Sequence, residues 1–296
     1  MSWSLFPPQT KEVQLDEKWC FVGKKEKTIK GSGDQSTTEG DVWDHTAIDA
    51  ESRLLVSLIP GKRTGENCDK LVEDVKKRTG DRTDVFYTSD EHAPYVKAIE
   101  KAYGTPVRAR KKQSSGKTTK PLLRMPPNLC YATVKKTRKN GRMVKVDRTL
   151  VFGTFVLLSL YLIASLVSKK INTAFVERHN GTDRGKNSRK RRKTYCFSKD
   201  LKIHNAASYF VAYGYNFLWP IRTLALKNSD GKNIQRTPGM AAGLTDHIWS
   251  LKEWCTYPVY PLLILKSYQD ETKNAKLSLW QDHEKQTKNQ HSGRAR

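Results

Sequence analysis

The 296-residue sequence predicts an α/β fold: a mixed central sheet flanked by helices, with a basic β-hairpin insertion and a helical C-terminal part. Three observations point there. Three segments with strand-like alternation follow one another before residue 62, the pattern of an antiparallel meander. A helical pattern, a short apolar run and a second helical pattern come next, so a fourth strand can lie beside the first. An Asn140-Gly141 pair then separates two basic segments, and Asn-Gly favours the hairpin turn whose twist matches its strands.

The first strand is EVQLDEKWCFVGKK, with Val13 and Leu15 on one face and Asp16 near its centre. Residues 28–41, rich in Gly, Ser, Thr and acids, read as a loop. VWDHTAIDAESRLLVSLIPG reads as two strands around a turn at Asp49 to Ser52, and Pro60-Gly61 ends the second. The following helix has Thr64 or Asn67 as its N-cap, Leu71, Val72 and Val75 at helical spacing, and Gly80 as its stop. TDVFYTSD is a short strand finishing at Asp90, and HAPYVKAIEKAYG resumes a helix. Residues 1–104 therefore form the first part of the core.

Residues 105–148 carry fourteen Lys/Arg and one acid, Asp147, and read as a flexible linker to Lys120 followed by the basic hairpin. Residues 149–200 complete the core, 201–272 form a helical, aromatic segment, and 273–296 a disordered polar tail. Within the first of these, Thr149 to Ser168 runs twenty residues without a charge. That length suffices for a membrane span. Gly153 suggests instead a break between a buried strand and a buried helix starting near Phe155, and basic residues flank both ends, so no orientation is signalled.

With 54 basic and 30 acidic residues the formal charge is +24, a field that attracts nucleic acid with salt-dependent affinity. Cys20, Cys68, Cys130, Cys196 and Cys255 are odd in number and scattered, signalling neither a disulfide framework nor a zinc site. The N-terminus carries no secretory pattern. A cytoplasmic, nucleoid-associated protein without a membrane partner is expected.

Three acids stand out by place: Asp16 in the first strand, Asp90 at the end of the fourth, and Glu177 on a late helix capped by Asn172 or Thr173. Hard carboxylate oxygens suit Mg2+ or Mn2+, and paired ions clamp an in-line phosphoryl displacement. Glu177 opens a run with eight basic side chains, Arg178, Arg184, Lys186, Arg189, Lys190, Arg191, Arg192 and Lys193, against one acid, Asp183. Asn180 and Arg184 share the face of Glu177. The run reads as a phosphate-binding surface beside a metal ligand.

LDEKWCFVGKK, YTSDEHAPYV, INTAFVERHNGTDR, RKRRKTYCFSKD and RTPGMAAGLTDH resemble the blocks of the insertion-sequence-one (InsB-like) family of DDE transposases. The resemblance spans about Pro7 to Trp254. It implies an RNase H-like core in which Asp16, Asp90 and Glu177 are the catalytic, Mg2+-binding acids. It also implies cleavage of transposon-end DNA by water, then joining of the freed 3′-hydroxyl to target DNA, with assembly as a homo-oligomer on DNA. A separate or frameshift-fused N-terminal part is expected to recognise the terminal repeats.

From pattern alone Glu17 or Glu91 serves as well as Asp16 or Asp90, because strand alternation turns only one of each pair to a site. Asp44 and Asp49 read as turn and surface residues. His179 reads as a phosphate or water contact or as a structural hydrogen-bonder. The aromatic set Tyr209, Phe210, Tyr213, Tyr215, Phe217 and Trp219 could stack on unpaired bases, but its dense spacing among apolar residues reads as core packing. A catalytically inactive DNA-binding remnant and a basic single-span membrane protein are the rival functions.

Overall fold

Strand β1 (Glu12–Val22) is the centre of the architecture, buried on both faces for most of its length. The computed structural model describes residues 9–32, 38–107 and 122–257. After β1 come α1 (Glu26–Ser32), β2 (Gly40–Asp49), β3 (Leu55–Gly61), α2 (Gly65–Arg78), β4 (Phe86–Asp90) and α3 (Ala93–Tyr103). A small pair, β5 (Thr105–Val107) and β6 (Leu122–Arg124), precedes the long hairpin β7 (Cys130–Lys139) and β8 (Arg142–Phe152). Then follow α4 (Phe155–Ala164), α5 (Ala174–Lys186), α6 (Leu201–Leu218), the short pair β9 (Leu226–Lys227) and β10 (Asn233–Ile234), α7 (Pro238–Ala241) and α8 (Leu251–Thr256).

Six strands make one mixed sheet in the order β3-β2-β1-β4-β7-β8. The first three are antiparallel, β4 runs parallel to both β1 and β7, and β8 returns antiparallel at the edge. Helices α2 and α3 cover one face. Val13, Leu15, Ala47, Tyr87 and Tyr131 of the sheet meet Leu71, Val72, Val75 and Ile99 there in the largest apolar cluster. Helix α2 starts where the Thr64 side chain accepts the Asn67 N–H, and Lys76, Lys77 and Arg78 complement its C-terminal dipole. Helices α5 and α6 lie on the other face, where Asn216 of α6 brackets Leu55 of β3 with two hydrogen bonds of 2.9 and 3.0 Å.

The meander, the helix, strand, helix order and the Thr64 cap match the sequence expectation. Residues 28–41 differ, since α1 extends to Ser32 and β2 begins at Gly40. The hairpin turns at Asn140 and Gly141, with φ of 51° and 76°. It is not set apart as an insertion: the bases of β7 and β8 are the last two strands of the central sheet. Most of the linker expected up to Lys120 falls in residues 108–121, outside the described residues, as do residues 258–296 with the expected polar tail.

The long apolar run divides as Gly153 suggested. Gly153 has φ +97°, and a Cβ there would approach the Leu129 carbonyl oxygen to 3.0 Å, so the chain breaks at that point between β8 and α4. Among the described residues no helix is long and apolar enough to cross a membrane. The expected burial of both strand and helix is corrected. Thr149 is exposed and Leu150, Val151 and Phe152 are half-buried, since β8 is the edge strand of the sheet. In α4, Leu158 is buried against Phe86, Cys130 and Ala132, but Phe155, Val156 and Ile163 are 76%, 71% and 76% exposed. At the sheet's edge only one side of a ten-residue helix finds a surface to cover.

Candidate active site

Strand β4 is short, and that opens the site. It ends at Asp90 while β1 continues to Val22 and β7 to Lys139 on either side. The register Leu15↔Ser89 places Asp16 and Asp90 at adjacent positions of the parallel pair, at the floor of the gap. A cleft of about 420 Å³ results, lined by Asp16, Asp90, Glu177, Arg63, His92 and Lys136, with further β7 residues on its wall. The three acids singled out in the sequence thus line one cavity.

Their environments differ. Asp16 is held in place: its Oδ1 accepts the Glu17 N–H at 2.9 Å and its Oδ2 accepts Asn180 Nδ2–H at 2.8 Å. Burial, then the Asp90 carboxylate beside it, push the Asp16 carboxyl up to about 6. Asp90 Oδ1 accepts the His92 N–H at 3.2 Å. Glu91 lines the cleft as well but is ion-paired with Lys135 at 2.8 Å, which leaves Asp90 as the member of its pair crowded against Asp16.

Strand alternation does not settle the other pair. Glu17 leaves β1 on the opposite face from Asp16, yet oxygens of Asp16, Glu17 and Asp90 all lie within 4.8 Å of one another. Burial, and after it Asp90, push Glu17 up to about 7. Its Oε2 lies 3.6 Å from the Arg63 guanidinium, and its buried Oε1 lies 3.1 Å from His92 Nε2 but makes no aligned hydrogen bond. Three crowded oxygen donors, two of them destabilised as anions, fit a hard divalent cation.

Glu177 reaches the cleft from the first turn of α5. The start of that helix is pinned by β1: Gln14, fully buried, accepts the N–H groups of Phe175 and Val176 at 2.9 and 3.2 Å and donates to Asn172 Oδ1 at 3.2 Å. Two residues before Asp16, Gln14 therefore sets the height of Glu177 over the strand. The Glu177 carboxylate accepts Thr173 Oγ1–H at 2.5 Å and is ion-paired with Lys136 of β7. It stands apart from the three-carboxylate cluster and holds a lysine at the cleft wall.

The basic run divides into two kinds of side chain. Arg178, Lys186, Arg191, Arg192 and Lys193 are exposed, and Arg184 and Arg189 half-buried. Lys186 caps the Trp219 ring at 5.0 Å, and Arg191 donates to the Gly185 carbonyl at 2.9 Å. Lys190 corrects the expectation of a phosphate contact. It is buried, with Nζ 2.6 Å from Asp44 and 3.5 Å from Asp183. Lys18 of β1 completes the network at 3.1 Å from Asp44 and in contact with Asp183. Burial would raise the Asp183 carboxyl, but Lys18 and Lys190 outweigh it and hold it below the ordinary carboxylate range.

Asp44 and Asp49, expected at the surface, are buried. Asp44 belongs to the lysine network, and Asp49 accepts the Glu51 N–H at 2.8 Å to close the turn into β3. Asn180, expected as a DNA contact alongside the basic run, is instead buried and donates to Asp16. His179 meets neither expectation: it is buried edge-on against Tyr215 at 4.7 Å with its Nδ1 making no hydrogen bond, and burial lowers its imidazole to about 4. Tyr215 and Phe217 pack inward as expected, while Tyr209 and Phe210 are 40% and 46% exposed. Cys20, Asp44 and His204 also converge in the interior, where the Asp44 carboxylate is already neutralised by two lysines. No protein-family model matches the chain, and no curated protein matches it.

Proposed function

We propose that the chain is the catalytic region of a DDE-type transposase on an RNase H-like fold, cutting and joining DNA strands with Mg2+ or Mn2+. One observation carries the proposal: Asp16 and Asp90, with Glu17, crowd their carboxylates at the floor of a cleft whose rim is basic and which Glu177 also lines. The parallel pairing of β4 with β1 after an antiparallel meander, and α5 set across β1, support the fold assignment.

Asp16 and Asp90 would hold the metal, with Glu17 or Glu177 completing the set. A bound divalent ion lowers the pKa of water and stabilises the charge that develops on the phosphoryl oxygens. Asn180 fixes the Asp16 carboxylate by its 2.8 Å hydrogen bond, and Gln14 fixes the helix that carries Glu177. Arg63, Lys135, Lys136 and Arg138 at the cleft hold the DNA backbone as cations. In the cutting step water oxygen attacks phosphorus, the P–O3′ bond breaks, and the leaving 3′-oxygen takes a proton. In the joining step that 3′-hydroxyl is the nucleophile and a target 3′-oxygen leaves.

The partners of this reading are transposon-end and target DNA, further copies of the chain on that DNA, and a part that reads the terminal repeats. The place of action is the nucleoid. The gel assay that tests it uses labelled end DNA and branched joining products with Mg2+, Mn2+ or chelator. Metal-dependent nicking or joining that disappears in Asp16→Asn is expected; cleavage that persists in that variant overturns the assignment.

A second reading, a DNA-binding remnant without catalysis, has the Lys136–Glu177 ion pair in its favour, since a metal ligand there must first give up a lysine. DNA binding by the folded protein with no cleavage in either metal, in wild type and Lys136→Ala alike, selects that reading.

A further inference from the structure

Beyond Glu17, β1 continues into a part of the sheet face that α2 and α3 leave uncovered. Glu17, Trp19 and Phe21 share strand parity, so Trp19 and Phe21 lie about 7 and 13 Å further along the same face. Trp43 is the β2 partner of Trp19. The Trp19 and Phe21 rings are 5.8 Å apart at 31°, and Phe197 continues the row 5.0 Å from Phe21 at 33°. All four side chains are partly exposed.

Cations are placed over these rings. Lys25 Nζ is 5.9 Å from the Trp19 centroid and 5.6 Å from that of Phe21, and the Arg63 guanidinium is 4.9 Å from Trp43. Arg63 lines the acidic cleft as well, so the row begins where the cleft ends. At its far end Phe197 lines a second hollow of about 380 Å³ with Arg189 and Tyr195, the latter 97% exposed.

We propose that Trp43, Trp19, Phe21 and Phe197, with Arg63 and Lys25 over the rings, form a stacking track for an unpaired DNA strand leading out of the acidic cleft. It rests on the reading of that cleft as a DNA-processing site. A satellite of the core is the plainer account of four aromatic rings, but core rings are closed over by aliphatic groups, whereas these are partly open and carry cations. Aromatic faces with flanking cations take bases whose own faces are free, which in a duplex are covered. The ligand is therefore a single-stranded segment of a frayed or nicked end.

The test measures binding of the full chain, in chelator, to a blunt duplex and to the same duplex with a short oligothymidine overhang. The wild type is expected to prefer the overhang, and Trp19→Leu or Phe21→Leu to reduce that preference about tenfold with blunt-duplex affinity unchanged. Trp19→Phe keeps a ring and restores most of it, and exposed Lys25→Ala reduces it severalfold without touching the fold. Photocrosslinking an iodouracil overhang maps the contact on the unaltered protein, with adducts expected on Trp19, Phe21 or Phe197. Equal binding of the two duplexes by wild type, or adducts confined to other segments, overturns the track. Chelator keeps the chemistry out of this readout, so a protein that cleaves nothing yet prefers the overhang sinks the catalytic reading and leaves the track standing.

Discussion

Two groups of carboxylates gather around β1 positions two residues apart, Asp16 and Lys18, and they are handled in opposite ways. Around Lys18, the acids Asp44 and Asp183 are each paired with two lysines and held below the ordinary carboxylate range. Around Asp16, burial and the neighbouring Asp90 push Asp16 up to about 6 and Glu17 up to about 7. The first group is electrostatically closed and ties β1, β2, α5 and the turn at Ser188–Lys190 together. The second stores repulsion that a cation can relieve. Acids of the same composition are thus told apart by the direction of their shifts, bracing in one case and, on the proposed reading, metal-binding in the other.

The largest expected effect separates them by activity. Asp16→Asn removes a crowded anion, so cleavage is expected to fall by at least about a thousandfold, roughly 4 kcal/mol in barrier, while the melting temperature holds or rises. Lys190→Met leaves Asp44 and Asp183 short of a buried partner, and a loss of about 3–5 kcal/mol in unfolding free energy is expected. Chemical denaturation of both variants beside a cleavage assay checks the pair. An Asp16→Asn protein as destabilised as Lys190→Met erases the distinction.

Acid sharpens it further. The folded-state pKa values of Asp44 and Asp183 lie below their unfolded values, so the stability they contribute is complete above the unfolded value near 3.8 and is lost as pH falls through the folded values. Wild type should lose its advantage over Lys190→Met below about pH 4. The cleft has the opposite sign, because protonating Asp16 relieves repulsion. Mg2+ at pH 8 should do the same, raising the wild-type melting temperature by a few degrees and leaving that of Asp16→Asn unmoved. An equal Mg2+ shift in both proteins places the ion elsewhere.

What could be read from the sequence follows the range of the forces involved. The strand and helix order up to Tyr103, the Thr64 cap and the Asn140-Gly141 turn depend on neighbours a few residues away. The pairs Asp16/Glu17 and Asp90/Glu91 were legible by their places at a strand centre and a strand end, and only the resemblance chose the aspartates. That Glu17 joins Asp16 was not legible, because alternation treats strands as bounded by strands, and here β4 stops and leaves both faces of β1 open to Asp90. Lys190 was not, because its nearest partner, Asp44 on β2, is brought to it by the fold. The apolar run after Thr149 was half legible: Gly153 gave its break, but hydropathy could not tell that α4 covers the sheet with one side only.

The smallest expected effect uses the basic run, where one lysine braces the fold and its neighbours face solvent. Removing a cation that neutralises one phosphate should flatten the slope of log affinity against log salt by about 0.9 for duplex DNA. Arg191 and Arg192 are exposed, so Arg192→Ala is expected to flatten the slope by close to that amount while the melting temperature stays put. Lys190 is engaged inside, with Asp44 and Asp183, so Lys190→Met should leave the slope as it is, measured where that variant is still folded, and lower stability alone. Binding isotherms across a salt series for these two variants decide the point, since a flattened slope in Lys190→Met means that its ammonium leaves the carboxylates for DNA and that the bracing group is not closed after all.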